Sequence, residues 1–176
     1  MPRHFVSLLL ACMVVSLPFH PSAQSVTFGD DVAFLEKHAD LIVLADEAGM
    51  AKVALSAKWQ GRVLTSTGQG DAGPSFGWIN RALIASGRTE PHINVFGGED
   101  RFWLGPEGGQ FSIFFAQGAP FDLEHWFTPA AIDTEPFEIV SQSSSRVVCR
   151  RAIGLTNYSG TSFQLEVRRE VRLLRA

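Results

Sequence analysis

"RVVCRRAIGLTNYSGTSFQLEVRREVRLL", residues 146–174, alternates apolar and polar side chains on both sides of the tetrad NYSG. A period of two belongs to strands with one face turned inward, and Asn, Ser and Gly supply the conformations of a turn. The stretch therefore reads as a β-hairpin. Val147, Cys149, Ile153 and Leu155 share one face of its first strand, and Phe163, Leu165, Val167, Val171 and Leu173 share one face of its second. Each apolar row is broken once, by Arg151 and by Arg169. Folding the chain about NYSG so that 155 meets 165 and 153 meets 167 sets Arg151 opposite Arg169 and Cys149 opposite Val171. Like charges directly opposite destabilise a sheet, and a guanidinium cannot shed its proton to escape. An anion is then expected between them: a structural carboxylate from Glu99, Asp100 or Glu107, or the carboxylate of a ligand such as a uronic acid. A bulge that turns one arginine outward is the other outcome.

Outward from this hairpin the same signals recur. PFEIVSQ adds a strand before it, LIVLAD (41–46) and MAKVALS (50–56) form a second hairpin across EAG, and GRVLTST (61–67) follows as its third strand. QFSIFF (110–115), apolar at successive positions, reads as a strand covered on both faces. Helix is limited to VTFGDDVAFLEKHAD and to WINRALIASG, which ends at Gly87. FDLEHWFTPAAIDTEPF (121–137) has no period and reads as a long irregular connection, a kind of segment that often carries function. The expected fold is an all-β, antiparallel sandwich with one or two short helices.

Residues 1–25 read as a secretory signal peptide: Arg3 and His4, then FVSLLLACMVVSLPF, then small residues with cleavage after Ala23 or Ser25. The minor alternative takes LLAC as a lipid-attachment signal, with Cys12 carrying the anchor. The protein is expected to be exported, periplasmic or extracellular, with no membrane span in the mature chain. Residues 26–176 form a single domain. Its last strand stops within two residues of the C-terminus and would leave a bare edge, so this domain is expected to be the N-terminal part of a longer one. Once the leader is removed, Cys149 is the only cysteine, which rules out an internal disulfide and leaves it as a small buried hydrophobe.

The formal net charge is −3 and the basic residues are scattered, which gives no footprint for nucleic acid. Twelve of the fifteen basic residues are Arg, suited to planar recognition of carboxylates. Chemistry concentrates in HINVFGGEDRFWLGPEGGQFSIFF (92–115). Its glycine pairs lack the spacing and the Lys-Ser or Lys-Thr of a phosphate loop, and the chain has no HExxH or paired-histidine spacing, so neither metal nor cofactor is expected. His92, Asn94, Glu99, Asp100, Arg101, Trp103 and Glu107, with His125 downstream and Arg151 and Arg169 from the hairpin, are the candidate ligand-binding residues; no catalytic residue is assigned. Carboxylates and amides that meet hydroxyls, beside a Trp that stacks on a pyranose, make up the composition of a sugar site. An Arg beside two acids equally makes a structural ion pair that holds a loop.

SFGWINRALIASG, PHINVFGGEDRFWLGPEGGQFSIFF and PFDLEHWFTPAAIDTEPF together resemble a family of exported bacterial proteins, the domain-of-unknown-function family 6786, over roughly residues 30–175. GGEDRFWLGPE is also similar to the signature of galactose mutarotase-like sandwiches. That resemblance implies a large twisted β-sandwich whose concave face binds carbohydrate, and members longer than this chain. LTNYSG (155–160) resembles the segment that holds one catalytic histidine of aldose epimerases, but Tyr158 stands at that position. The resemblance therefore implies a carbohydrate or sugar-derived ligand, not a mutarotase mechanism. Beside this stand a carbohydrate-active enzyme, epimerase-like or lyase-like, that draws its acid and base from Glu99, Asp100 or Glu107 with His92 or His125, and a structural or interaction module.

Overall fold

The structure is a computed structural model that describes residues 26–174. The expected signal peptide, and Cys12 within it, lie outside the described residues. The chain is all-β apart from two short helices: α1 (Phe28–Leu35), β1 (Ile42–Ala45), β2 (Lys52–Ser56), β3 (Arg62–Thr67), α2 (Arg81–Ser86), β4 (Glu138–Gln142), β5 (Arg146–Thr156) and β6 (Ser162–Arg172). The strands form two antiparallel three-stranded sheets, ordered β1-β2-β3 and β4-β5-β6.

The sheets pack through the apolar rows that the period-two pattern places on one side. Ile42, Leu44 and Leu55 of the first sheet share one cluster with Val147 and Cys149 of the second and with Phe137, and Val167, Val171 and Leu173 pack against it. Leu44 and Leu55 are fully buried, worth roughly 2 kcal/mol each in transfer free energy. The opposite face of the first sheet is covered too, because Leu64 of β3 joins Leu35, Trp59, Ile79, Ile84 and Phe96. Thr27 starts α1 with a reciprocal capping box to Asp30, and buried Asp31 ties α1 to Arg81 of α2. The outer face of the second sheet is exposed apart from fully buried Val148 and carries cross-strand ion pairs, Arg150 to Glu138 and Arg146 to Glu170.

Two expectations fail here. First, β5 and β6 pair Ile153 with Leu165, Arg151 with Val167 and Cys149 with Arg169, so Arg151 and Arg169 are not opposed. The cause lies in the turn. Asn157 N–H donates to the Thr161 carbonyl, its Oδ1 accepts the Thr161 N–H at 2.9 Å, and Gly160 at φ 83° closes the loop, so the ladder begins two residues earlier on the β6 side than the expected pairing of 155 with 165. Second, 110–115 is no strand. The Ser112 N–H turns back to the Gly109 carbonyl and its Oγ accepts the Phe114 N–H, local bonds that compete with a ladder. Phe114 and Phe115 are thereby sent into a third cluster with Ile132, Ile153 and Leu155, while Phe111 is 60% exposed.

Candidate functional site

The glycines of the 92–115 segment have a positional explanation. β3 has β2 on one side, and its other edge is closed by irregular chain: Glu99 N–H donates to the Val63 carbonyl, Val63 N–H donates to Asp100 Oδ1 at 2.7 Å, and Phe76 N–H donates to the Ser66 carbonyl. Approach this close requires glycine. A Cβ on Gly97, at φ 90°, would stand 2.1 Å from the Trp78 carbonyl oxygen, and one on Gly98, at φ 111°, would stand 2.7 Å from that of Val63. Glu99 is bonded by the Ser66 hydroxyl at 2.9 Å. The GGED run is therefore an edge cover for the first sheet, and its two acids are engaged in holding it.

Beneath it lies a network of arginines. Arg169 donates to Asp100 and to the Gln60 carbonyl; Asp100 is one of the three carboxylates expected near it. Arg151 is held separately, by Glu135 and the Pro136 carbonyl. Arg101 pairs with Asp133 at 2.7 Å, and Asp133 also accepts from Asn94 N–H and from Asn94 Nδ2 at 2.8 Å. Burial pushes the Arg101 guanidinium below its ordinary pKa, opposed by Asp133. Arg62 is 1% exposed, donates to the Gly97 carbonyl at 3.0 Å and to Gln60 Oε1 at 3.2 Å, and has no carboxylate at ion-pair distance among the described residues. Desolvation first, and then Arg101, lower its pKa to about 10. Arg62, Gln60 and Asp133 are absent from the sequence-based set. A lone Arg at the start of a strand and a lone Asp in an irregular segment carry no periodic or spacing signal.

The remaining candidates lie on the loops. Trp103 stacks against Arg101, its ring centre 4.4 Å from the guanidinium, donates to Glu107 at 2.8 Å, and leans on Phe114, which stacks in parallel on Trp126. His92 meets the Trp126 carbonyl through Nδ1 at 2.6 Å and stacks on Phe127. A carbonyl can only accept, so Nδ1 carries a proton in this bond. His125 is paired with Asp122 at 2.6 Å in the open; the bond from Asp122 raises the His125 pKa. The structure thus joins Asn94 to Arg101, Arg101 to Trp103 and Trp103 to Glu107, joins Asp100 to Arg169, and leaves Arg151 and His125 with partners of their own. Among the described residues no three His, Cys, Asp or Glu side chains are placed to hold a metal ion, and no helix is long and apolar enough to cross a membrane.

A groove of about 330 Å³ opens next to this network. One wall is Leu104, Gly105 and Pro106, the centre of the quoted segment, with a cis Gly105–Pro106 bond. Phe111 and Ile113 continue that wall, and the inner face of the β5–β6 hairpin, Leu155, Phe163 and Leu165, forms the other. One polar side chain lines it. Asn157 is 4% exposed; its Oδ1 is taken by Thr161, and its Nδ2 has no hydrogen-bond partner among the described residues. The sequence reading treats Asn157 as a turn residue only, and its turn bond is real. What the reading misses is that the other half of the amide remains available. A larger concavity of about 750 Å³ is bordered by Asp46, Ser144 and Leu174, and neither it nor the groove is lined by any of the ten candidates.

No curated protein and no solved structure matches the chain. A family described only as a family of unknown function, DUF6786, matches it over residues 26–176, the whole of the described fold, and the chain belongs to that family.

Proposed function

We propose that this protein is an exported carbohydrate-recognising β-sandwich of the galactose mutarotase-like kind, and that it takes a sugar ring into the groove between Leu104–Pro106 and the β5–β6 hairpin. The observation that carries this reading is the groove itself: about 330 Å³, apolar on both walls, with one unengaged amide donor at Asn157. That volume lies in the range of small-molecule sites. The rings of Phe111 and Phe163 offer flat apolar surface for the C–H face of a pyranose, and Asn157 Nδ2 can donate to a hydroxyl or ring oxygen. The leader over residues 1–25 would deliver the domain to where such ligands are met.

Recognition is favoured over catalysis by the lining. None of its side chains titrates, and the acids and bases that an epimerase or lyase would draw on are bonded elsewhere: Glu99 to Ser66, Asp100 to Val63 and Arg169, Glu107 to Trp103. An acid and a base must converge on one substrate position, and none of these acids, nor His92 or His125, lines the groove.

The test is a titration of the full chain with a panel of neutral and acidic sugars, followed by amide chemical shifts. Asn157→Asp keeps the acceptor that closes the turn and removes the donor, so it should weaken the bound sugar about five- to tenfold, the worth of one hydrogen bond near 1 kcal/mol, and leave the fold intact. Phe111→Ala should weaken it further. A panel in which no sugar moves the groove amides, or in which the shifts map to another surface, refutes the reading.

A further inference from the structure

The groove offers a ligand very few polar groups. On the hairpin side Leu155 lies opposite Phe163, and Ile153 lies opposite Leu165. Two residues further along the same ladder Asn157 N–H donates to the Thr161 carbonyl, so Leu155, Phe163 and Leu165 belong to the pairs whose N–H and C=O groups bond across to the other strand. That wall presents hydrocarbon until it reaches Asn157. The Asn157 backbone is engaged as well, since its carbonyl accepts the Gly160 N–H at 2.9 Å. Its Oδ1 accepts the Thr161 N–H, which orients the amide and leaves Nδ2 as the open end. On the loop side Leu104, Phe111 and Ile113 are apolar, Gly105 has no side chain and Pro106 has no N–H. The lining side chains therefore supply one open donor and no charge.

Resting on the sugar reading above, we infer that the group taken deepest into this groove is an acetyl substituent, so that the ligand is a neutral sugar acetylated on nitrogen or oxygen and not a plain hexose. An open donor set in an apolar wall is best met by an acceptor that carries no proton of its own, and a carbonyl is such an acceptor. A sugar hydroxyl can accept too. Its own O–H, however, would then be turned toward Leu155 and Leu165, whose backbone acceptors are occupied, and a polar group desolvated without a partner costs more than one hydrogen bond returns. The acetyl methyl, attached beside the carbonyl, is what those two leucines can cover. Oxygen meets Nδ2, and methyl meets hydrocarbon. The ring keeps its place against Phe111 and Phe163, with its hydroxyls toward the water at the mouth. Charge narrows the class further. The carboxylate of a uronic acid or the ammonium of an unacetylated amino sugar would enter with no counter-ion among the lining side chains, and burying such a charge is costly.

The full chain is titrated with N-acetylglucosamine, with glucose acetylated at its primary hydroxyl, with glucose and with glucosamine, each followed by amide chemical shifts. At least one acetylated sugar should bind about tenfold more tightly than glucose, from one methyl buried and one hydrogen bond completed, and glucosamine should bind more weakly than glucose. A preference confined to one acetylated sugar supports the inference and tells whether the acetyl group is carried on nitrogen or on oxygen. In saturation-transfer NMR the acetyl methyl should receive more magnetisation from the protein than the ring protons do. Asn157→Asp, which keeps the acceptor of the turn, should cut the preference for the acetylated sugar over glucose to about threefold or less, the part owed to the methyl. Glucose that binds in the groove as tightly as the acetylated sugars overturns the inference and leaves the sugar reading standing. Acetylated sugars whose shifts fall outside the groove overturn it too, and a groove that no sugar occupies removes both. If Asn157→Asp alters the fold by near-ultraviolet circular dichroism, the comparison of sugars on the unaltered chain decides.

Discussion

Asp133→Ala is expected to be among the most damaging single substitutions in the described chain, although it alters no strand. Its carboxylate accepts from the Arg101 guanidinium at 2.7 Å, from Asn94 Nδ2 at 2.8 Å and from the Asn94 N–H. Asn94 and Asp133 are buried, and the Arg101 side chain is 20% exposed. Removing one partner of a buried ion pair costs about 3–5 kcal/mol, because the other charge is left without compensation. The orphaned Asn94 N–H adds about 1 kcal/mol or more, while Asn94 Nδ2 keeps its bond to the Glu90 carbonyl at 3.2 Å. Arg101 can recover part of this by turning its partly exposed end to water, so the net loss is about 4 kcal/mol by the same reasoning. Asp133→Asn retains one acceptor oxygen and should lose about 2–3 kcal/mol. Urea unfolding followed by tryptophan fluorescence measures both, since Trp103 and Trp126 belong to the same packed group. The double variant Arg101→Met/Asp133→Leu, which removes both charges, should be more stable than Asp133→Ala. A loss below about 1 kcal/mol for Asp133→Ala, the size of a typical surface effect, would refute the claim that this carboxylate stitches the loops together.

His125 should titrate above the ordinary 6.5 because it gains the Asp122 carboxylate; proton NMR of the imidazole should show this, and Asp122→Asn should return it to the ordinary value. A raised histidine contributes stability that is fully present below its unfolded pKa and is lost as pH rises through the folded one, so the local turn should be tightest on the acid side of neutrality, until Asp122, whose own pKa is lowered, protonates. Gly98→Ala sets a methyl 2.7 Å from the Val63 carbonyl at a φ of 111°, and should cost about 2–3 kcal/mol by thermal melt; a change below about 0.5 kcal/mol would refute the close-approach account. Burial raises the Cys149 thiol pKa, so a thiol reagent should label it at the rate of unfolding, and prompt labelling of the native chain would contradict the packing at the sheet interface.

The alternation in 146–174 disclosed the hairpin and its inward rows because period two is a direct image of a pleated strand. It could not disclose the register. That depends on how Asn157 bonds across to Thr161, a choice of turn geometry open to the same residues. QFSIFF misled for a related reason: apolar residues in succession fit a doubly covered strand or a turned segment that buries two rings, and Ser112 decided for the second. None of the ten candidate residues lines the groove. Polar density in GGEDRFW was legible, but most of those groups satisfy backbone and arginine donors, and the available donor, on Asn157, looked like an ordinary turn residue.

The excess of arginine over lysine follows from what the fold must hold. Between α2 and β4 the chain runs from 88 to 137 with one short 3₁₀ turn at Ala130–Ile132 as its only regular structure, far longer than an ordinary connection. Chain of that length has little ladder bonding of its own and must be fixed from outside. Arg62 reaches the Gly97 carbonyl, Arg151 takes Glu135 and the Pro136 carbonyl, Arg169 takes Asp100, and Arg101, from within the segment, takes Asp133 near its far end. Arg151 binds a carboxylate and a backbone carbonyl together, and Arg169 joins Asp100 to the Gln60 carbonyl. A planar guanidinium with donors in a fixed fork can bridge two acceptors in that way, and an ammonium at the end of a flexible stem does so with less geometric definition. Arg62 and Arg169 act from the sheets on the first part of the segment, and Arg151 acts on its last part. Leu104–Pro106 lies between those anchored ends and forms one wall of the groove, while β5 and β6, which supply Arg151 and Arg169, form the other. The strands that wall the groove on one side therefore also carry the arginines that hold the loop on the other, and its width is set by clamps that run from one wall toward the other.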